Sequence, residues 1–269
     1  LSLRAKEQGR IRLHRRFPSR FLSTPRDLIV YLPPEYGESD ARYPVLYLQD
    51  GQNLFDPATA FAGNDWHADL TADDRIRRGT VEPLLIAGIY NTGVRRISEY
   101  TPTRDGRTRK GGKAARYAQM MAREIKPFID HEYRTRKGAA DAGVGGSSLG
   151  ALVSLMAGLT YPRVFGKLAL LSPSVWWDEH SILPLVESWT RPERPRIWLD
   201  AGTAEGGSPA KVVEDARLMR EAFLAKGWRE PADLYYEEFE GAAHNESAWG
   251  ARFGRVLEYL FPRLPPAPK

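Results

Sequence analysis

Short apolar runs alternate with longer segments of helical periodicity along most of the chain. Residues 10–22 and 27–33 read as two early strands, and the second, DLIVYLPP, is stopped by Pro33 and Pro34. A turn containing Gly37 and Asp40 leads into YPVLYLQDG, an apolar run suited to a strand buried on both faces. Residues 81–90, VEPLLIAGIY, form a second such run. Tyr117, Met120, Met121, Ile125 and Phe128 recur near helical spacing and predict a helix over 115–130. The small-residue segment AGVGGSSLG then runs from strand into turn and is followed by the helix ALVSLMAGL. Strands GKLALLSP and RIWLDAG, a helix over 211–226, strand DLYYEEFEG and a last helix over 246–261 complete the pattern.

Repeated strand–helix alternation predicts an α/β fold with a mostly parallel sheet covered by helices. The first strands are joined too closely for helical crossovers and are expected to be antiparallel. No repeat and no linker divides residues 1–269, so one domain is expected, and a chain of this length can bury a sizeable core. The net charge of +5 is spread over the N-terminus, a central loop and the last helices rather than concentrated on one element, which argues against nucleic-acid binding. With no cysteine, disulfides, thiolate metal sites and a cysteine nucleophile are excluded. No apolar run is long enough to span a membrane, and LSLRAKEQGR lacks the apolar core of a signal peptide. A cytoplasmic and an exported location both remain open, as does the oligomeric state.

The sharpest local feature is Gly146-Ser147-Ser148-Leu149-Gly150, a G-x-S-x-G between an apolar strand and an alanine-containing helix. A serine on such a tight strand-to-helix turn projects its hydroxyl above the sheet, and the turn requires small neighbours. This context predicts an α/β-hydrolase fold with Ser148 as nucleophile. The amide of Leu149 is expected to face a substrate oxyanion, with the positive end of the following helix behind it. Ser147 lacks the final glycine of the motif in its own frame. A second oxyanion donor is expected from the loop after the third strand, Asp50-Gly51-Gln52-Asn53, where the Gln52 amide is the candidate.

In this fold the serine is followed by the acid and then the histidine. Of the five histidines, His14 lies in an early strand, His67 in a helix after the third strand and His131 at a helix end. His180 precedes the strand expected to carry the acid, so His244, after the last strand, is the candidate base. Glu205, in the small-residue loop after RIWLDAG, is the favoured acid; Asp200, Glu214 and Asp215 are the alternatives.

Other features carry less chemistry. Residues 106–113, GRTRKGGK, look like a phosphate loop, but Lys113 precedes Ala114 rather than Ser or Thr, and a basic loop is expected instead. There is no HExxH and no His–carboxylate cluster, so no metal and no cofactor is expected. Trp176 and Trp177 are candidates for lining a substrate pocket or for packing, and Asn91 and Arg95 are candidate substrate contacts.

Taken in order, PVLYLQDGQNLFD, GGSSLG, YPRVFGKLALLSPSVWW, AGTAEG and EGAAHNESAW resemble the putative esterase family. That family includes esterase D, enterochelin esterases, family 1 carbohydrate esterases such as feruloyl esterases, and antigen 85-type mycolyltransferases. The likeness spans nearly the whole chain. It implies Ser148 as nucleophile, Glu205 as acid after Gly202-Thr203, His244 as base, and Gln52 and Leu149 as oxyanion amides. The segment 95–100, RRISEY, resembles a loop of the siderophore and carbohydrate esterases. Two departures are Ala151, where a second glycine often follows the elbow, and Glu rather than Asp as acid. The expected function is hydrolysis of a small-molecule or saccharide carboxylic ester with a short acyl group. Alternatives are a feruloyl or acetyl-xylan esterase, a catecholate siderophore esterase, an acyltransferase or a non-catalytic binding module.

Overall fold

A computed structural model describes residues 9–263. Among these residues, eight strands form one mixed sheet: β1 Ile11–Phe17, β2 Arg26–Tyr31, β3 Val45–Gln49, β4 Leu85–Ile89, β5 Ala142–Ser147, β6 Lys167–Leu171, β7 Arg196–Gly202 and β8 Leu234–Phe239. Their spatial order is β1-β2-β4-β3-β5-β6-β7-β8. β1 and β2 pair antiparallel, as do β2 and β4, and every later pair is parallel. The expected architecture is therefore the one observed. The first strand is shorter than expected, because Pro18 and the Ser23-Thr24-Pro25 segment leave residues 18–25 irregular.

Strand side chains alternate between two core layers, as the period of two requires. Val45, Tyr47, Leu168, Leu170, Ile197 and Leu199 face one layer, and Leu46, Leu48, Ala169, Leu171 and Trp198 face the other. The second layer is closed by helix α1, Ala68–Arg77, through Ala68, Ala72 and Ile76. His67 does not lie in that helix; it is its left-handed N-cap. A five-residue helix, α2, Arg96–Tyr100, follows β4. The predicted helix over 115–130 is helix α3, which runs as Ala114–Met120, a π turn Met121–Ile125, and Lys126–Glu132. With α4, Leu149–Thr160, it covers the first layer. Helix α5, Leu183–Glu187, is short, α6 spans Pro209–Ala225, and α7 spans Glu246–Leu260. α7 returns across the second layer and buries Trp249, Phe253, Val256, Leu257 and Leu260. Each fully buried Leu, Ile or Val adds about 1.5–3 kcal/mol to folding.

Parallel pairing sends the carboxyl ends of β3, β5, β6, β7 and β8 to one edge of the sheet. The loops there carry Asp50, Ser148, Ser172, Glu205 and His244 respectively. This is the edge at which open α/β sheets build their ligand sites. Among the described residues, no helix is long and apolar enough to cross a membrane.

Candidate active site

Ser148 sits at the N-cap of α4 with φ 58° and ψ −126°, a backbone conformation that a residue with a side chain seldom adopts. The strain is held by the packing around it. A Cβ at Gly146 would lie 3.0 Å from the Gln49 Cβ, and one at Gly150 only 3.1 Å from it, so glycines let the elbow press against β3. At the departure, Ala151, the side chain is fully buried among the apolar residues beside α4. Leu149 opens the helix, where an N–H has no intrahelical acceptor.

The Ser148 Oγ lies 2.9 Å from His244 Nε2, and His244 Nδ1 lies 2.7 Å from Glu205 Oε2. The three residues come from loops after β5, β8 and β7. His244 packs edge-on against Trp249, with ring centroids 4.9 Å apart, and its side chain keeps 34% exposure while Glu205 has none. The imidazole thus joins a buried carboxylate to an accessible hydroxyl.

Glu205 is fixed from behind. The Gly202 amide donates to its Oε1 at 2.7 Å, and the Ser172 hydroxyl donates to the same oxygen. A Cβ on Gly202 would collide with the Ala242 carbonyl and crowd Glu205, so glycine is required where strand β7 ends. Burial alone would raise the Glu205 pKa, but hydrogen bonds with His244, Ser172 and Gly202 more than offset it and hold the carboxyl below its ordinary range.

Asp200, the first alternative acid, is fully buried and does not meet the histidine. Its Oδ1 accepts from Arg252 Nη2 at 2.8 Å and from the Ser172 amide at 3.1 Å, and its Oδ2 accepts from the Trp198 indole at 2.7 Å. Burial pushes its pKa up, against the opposing pull of Arg252. Arg252 Nη2 also donates to the Ser172 Oγ at 2.6 Å and stands 3.6 Å from Glu205 Oε1. Asp200 therefore balances the guanidinium beneath the site. Asp215, another alternative, pairs with His180 at 2.8 Å and with Lys211 at 3.3 Å. The third alternative, Glu214, lies in α6.

The Ser148 hydroxyl opens into a cleft of about 530 Å³. Gln52, Phe61, Asn91, Arg96 and Trp249 are among its lining residues. Asp50, left-handed at φ 56°, accepts a bidentate bond from Arg96 at 2.8 and 2.7 Å and one from Asn91 Nδ2 at 2.7 Å. These bonds shape the turn Gly51–Asn53, whose first internal bond is donated by Asn53. The Gln52 N–H precedes that bond and has no acceptor within the turn.

Three candidate contacts lie elsewhere. Arg95 points away and donates to Ser23 Oγ at 3.3 Å; its neighbour Arg96 takes the place at the cleft. Trp177 is buried, its indole donating to the Thr103 carbonyl at 3.2 Å. Trp176 is exposed and lines a separate depression with Arg107, Glu179, His180 and Lys211. Both turn out of the cleft because the chain after β6 reverses through residues 172–181. Phe61, 72% exposed at the cleft, was not singled out in the sequence, nor were Ser172, Trp249 and Arg252. Arg252 left one sequence signal: a cation inside the apolar stripe Trp249–Phe253–Val256 of the last helix.

The protein "YbbA" of Bacillus subtilis, described as uncharacterized, is 26% identical over 245 residues, 88% of this chain and 92% of its own. A protein of Xylanibacter ruminicola described as endo-1,4-beta-xylanase/feruloyl esterase is 25% identical over 239 residues, 86% of this chain and 29% of that longer protein. The enterobactin esterase FES from Shigella flexneri superposes with a TM-score of 0.72 at 19% identity, covering 93% of this chain and 58% of that one. Residues 19–260 match the family described as "Putative esterase", and the chain belongs to that esterase family of the α/β-hydrolase fold.

Proposed function

We propose that the protein hydrolyses short-chain carboxylic esters through an acyl-enzyme on Ser148, with His244 as general base and acid and Glu205 as its orienting carboxylate. The observation that carries this reading is the unbroken series from the Ser148 hydroxyl to His244 at 2.9 Å and on to Glu205 at 2.7 Å. Glu205, ionised and buried, selects the imidazole tautomer with a proton on Nδ1, which leaves Nε2 free to accept the Ser148 proton. Attack on the ester carbonyl forms the Oγ–C bond and sends the carbonyl electron pair to oxygen. The Leu149 and Gln52 amides are the donors proposed to receive that charge. Collapse expels the alcohol, which takes the proton from His244, and water repeats the sequence to free the acid.

Acyl length follows from the shape of the surroundings. Residues 172–195, between β6 and β7, contain turns and the short helix α5 and supply no long apolar lid. The exposed ring of Phe61 at the cleft favours an aromatic acyl group as the second reading, in keeping with the feruloyl esterase named among the relatives. A panel of p-nitrophenyl esters from acetyl to decanoyl, with methyl ferulate, acetylated xylan and a cyclic catecholate ester, separates these readings. The expected maximum of kcat/KM is at acetyl to butyryl; a maximum at decanoyl refutes the short-chain assignment, and preference for methyl ferulate selects the second reading.

A further inference from the structure

A second hydroxyl touches the nucleophile. Ser174 Oγ lies 3.0 Å from Ser148 Oγ, on the side chain of a residue only 2% exposed. Its backbone is pinned on both sides: its amide donates to the Ser148 carbonyl at 3.3 Å, and its carbonyl accepts from the Trp177 amide at 3.1 Å. Among the described residues, Ser148 Oγ is the sole hydrogen-bond partner of the Ser174 hydroxyl.

Proton counting fixes the direction of that bond. With Nδ1–H of His244 given to Glu205, Nε2 accepts, so the Ser148 proton belongs to His244. Ser148 Oγ then has only lone pairs to offer its neighbour. Ser174 is a buried hydroxyl whose proton must find an acceptor, and Ser148 Oγ is the one in reach.

We infer that Ser174 is a catalytic hydrogen-bond donor to the nucleophile oxygen, holding its rotamer and stabilising the charge that Oγ carries as its bonds to proton and acyl carbon change. The inference rests on the reading of Ser148 as nucleophile. During acylation the Ser148 proton passes to His244 Nε2 while Oγ bonds to carbon. Ser174 keeps its own proton throughout and contributes only the hydrogen bond. During deacylation the C–Oγ bond breaks, Oγ leaves with the electron pair and recovers a proton from His244, and Ser174 again faces the growing charge. The ester oxygen of the acyl-enzyme accepts hydrogen bonds poorly, so this donor acts more strongly on the transition states than on the intermediate between them.

Ser174→Ala and Ser174→Thr test it, each compared with the wild type by three readouts. These are the rate constant for fluorophosphonate labelling of Ser148, kcat and KM on p-nitrophenyl acetate, and the thermal midpoint. For Ser174→Ala, labelling and kcat are expected to fall about ten- to a hundredfold, as for loss of one donor to a charged group, with KM within about twofold and the midpoint nearly unchanged. Ser174→Thr restores the hydroxyl and most of the rate. Labelling of Ser174→Ala at the wild-type rate overturns the inference while leaving Ser148 as nucleophile. So does equal impairment of the Thr and Ala variants, which marks a packing role. A wild type that is not labelled at Ser148 overturns the inference and the proposed function together.

Discussion

Two buried arginine–carboxylate clusters in this molecule use similar parts to different ends. Near the antiparallel edge of the sheet, Arg10 binds both oxygens of Asp73, at 2.8 and 2.7 Å, and the Tyr31 hydroxyl donates to Asp73 Oδ1 at 2.5 Å. Beneath the cleft, Arg252 serves Asp200 and Ser172, and Ser172 serves Glu205. Both clusters set a guanidinium and a hydroxyl against buried carboxylate. In the first, both carboxylate oxygens accept from internal donors, Arg10 and Tyr31. In the second, Asp200 takes the charge of Arg252, so Glu205 is free to present Oε2 to a half-exposed imidazole. What separates a structural buried charge from a chemically useful one is whether the network leaves one strong acceptor facing a mobile proton.

Substitution in the second cluster is expected to have the largest effect on rate. Glu205→Gln should lower kcat by about two to four orders of magnitude, with substrate binding and fold retained, because the imidazole loses its tautomer selection. Asp200→Asn should disturb stability first, since it removes the carboxylate nearest the buried Arg252 guanidinium and leaves only Glu205 Oε1, at 3.6 Å, among the described carboxylates beside it. If steady-state kinetics of the two variants show Asp200→Asn losing turnover while Glu205→Gln keeps it, the division of labour proposed here is wrong.

The first cluster should respond in the opposite currency. Asp73→Ala removes the carboxylate to which Arg10 and Tyr31 both donate and is expected to cost about 1–3 kcal/mol of stability, with kcat per folded molecule close to wild type. Denaturant unfolding alongside active-site titration reads both quantities. A variant as stable as wild type, or one folded but inactive, breaks the contrast.

The smallest expected effect is on the acid limb of stability. Glu205 has a folded pKa depressed below its unfolded value, so its contribution is complete above roughly pH 4.3 and is lost as pH falls through the folded pKa. Asp200, with its pKa raised by burial, has the opposite sign: protonation as pH falls relieves a cost. The difference in thermal midpoint between wild type and Glu205→Gln should therefore shrink below about pH 4. A gap that widens with acid would mean that the carboxyl is held neutral.

Much of the architecture was legible because the apolar runs are short, dense and separated by turn residues. The parallel half, the elbow and the last helix follow from GGSSLG, RIWLDAG and the stripe after His244. Strand order was not legible: β4 inserts between β2 and β3, a choice of tertiary packing that no local pattern records. Ser148 and His244 stand out because the elbow motif and chain order constrain them, whereas chain order admits Asp200, Glu205, Glu214 and Asp215 alike and only the small-residue loop after RIWLDAG favours Glu205. The cleft wall does not stand out, because it depends on how loops fold back. Asp50 reads as one loop carboxylate among many until Arg96 and Asn91 close on it. Arg95 and Arg96 are indistinguishable in sequence, and the start of helix α2 decides which one faces the cleft. Trp176 and Trp177 look like a pocket wall by composition, and a reversal after β6 carries them away from it.

The central claim is that Ser148 carries the acyl group. Incubating the protein with a fluorophosphonate and mapping the adduct by peptide mass spectrometry tests this most directly, with Ser148→Ala as the control. One adduct per chain is expected, on Ser148, and ester hydrolysis should vanish with its formation. Ser148→Ala should take up no probe and retain about a thousandth of the activity or less. An adduct on Ser147 or Ser174, or a Ser148→Ala protein that still turns over ester at a comparable rate, would contradict the account.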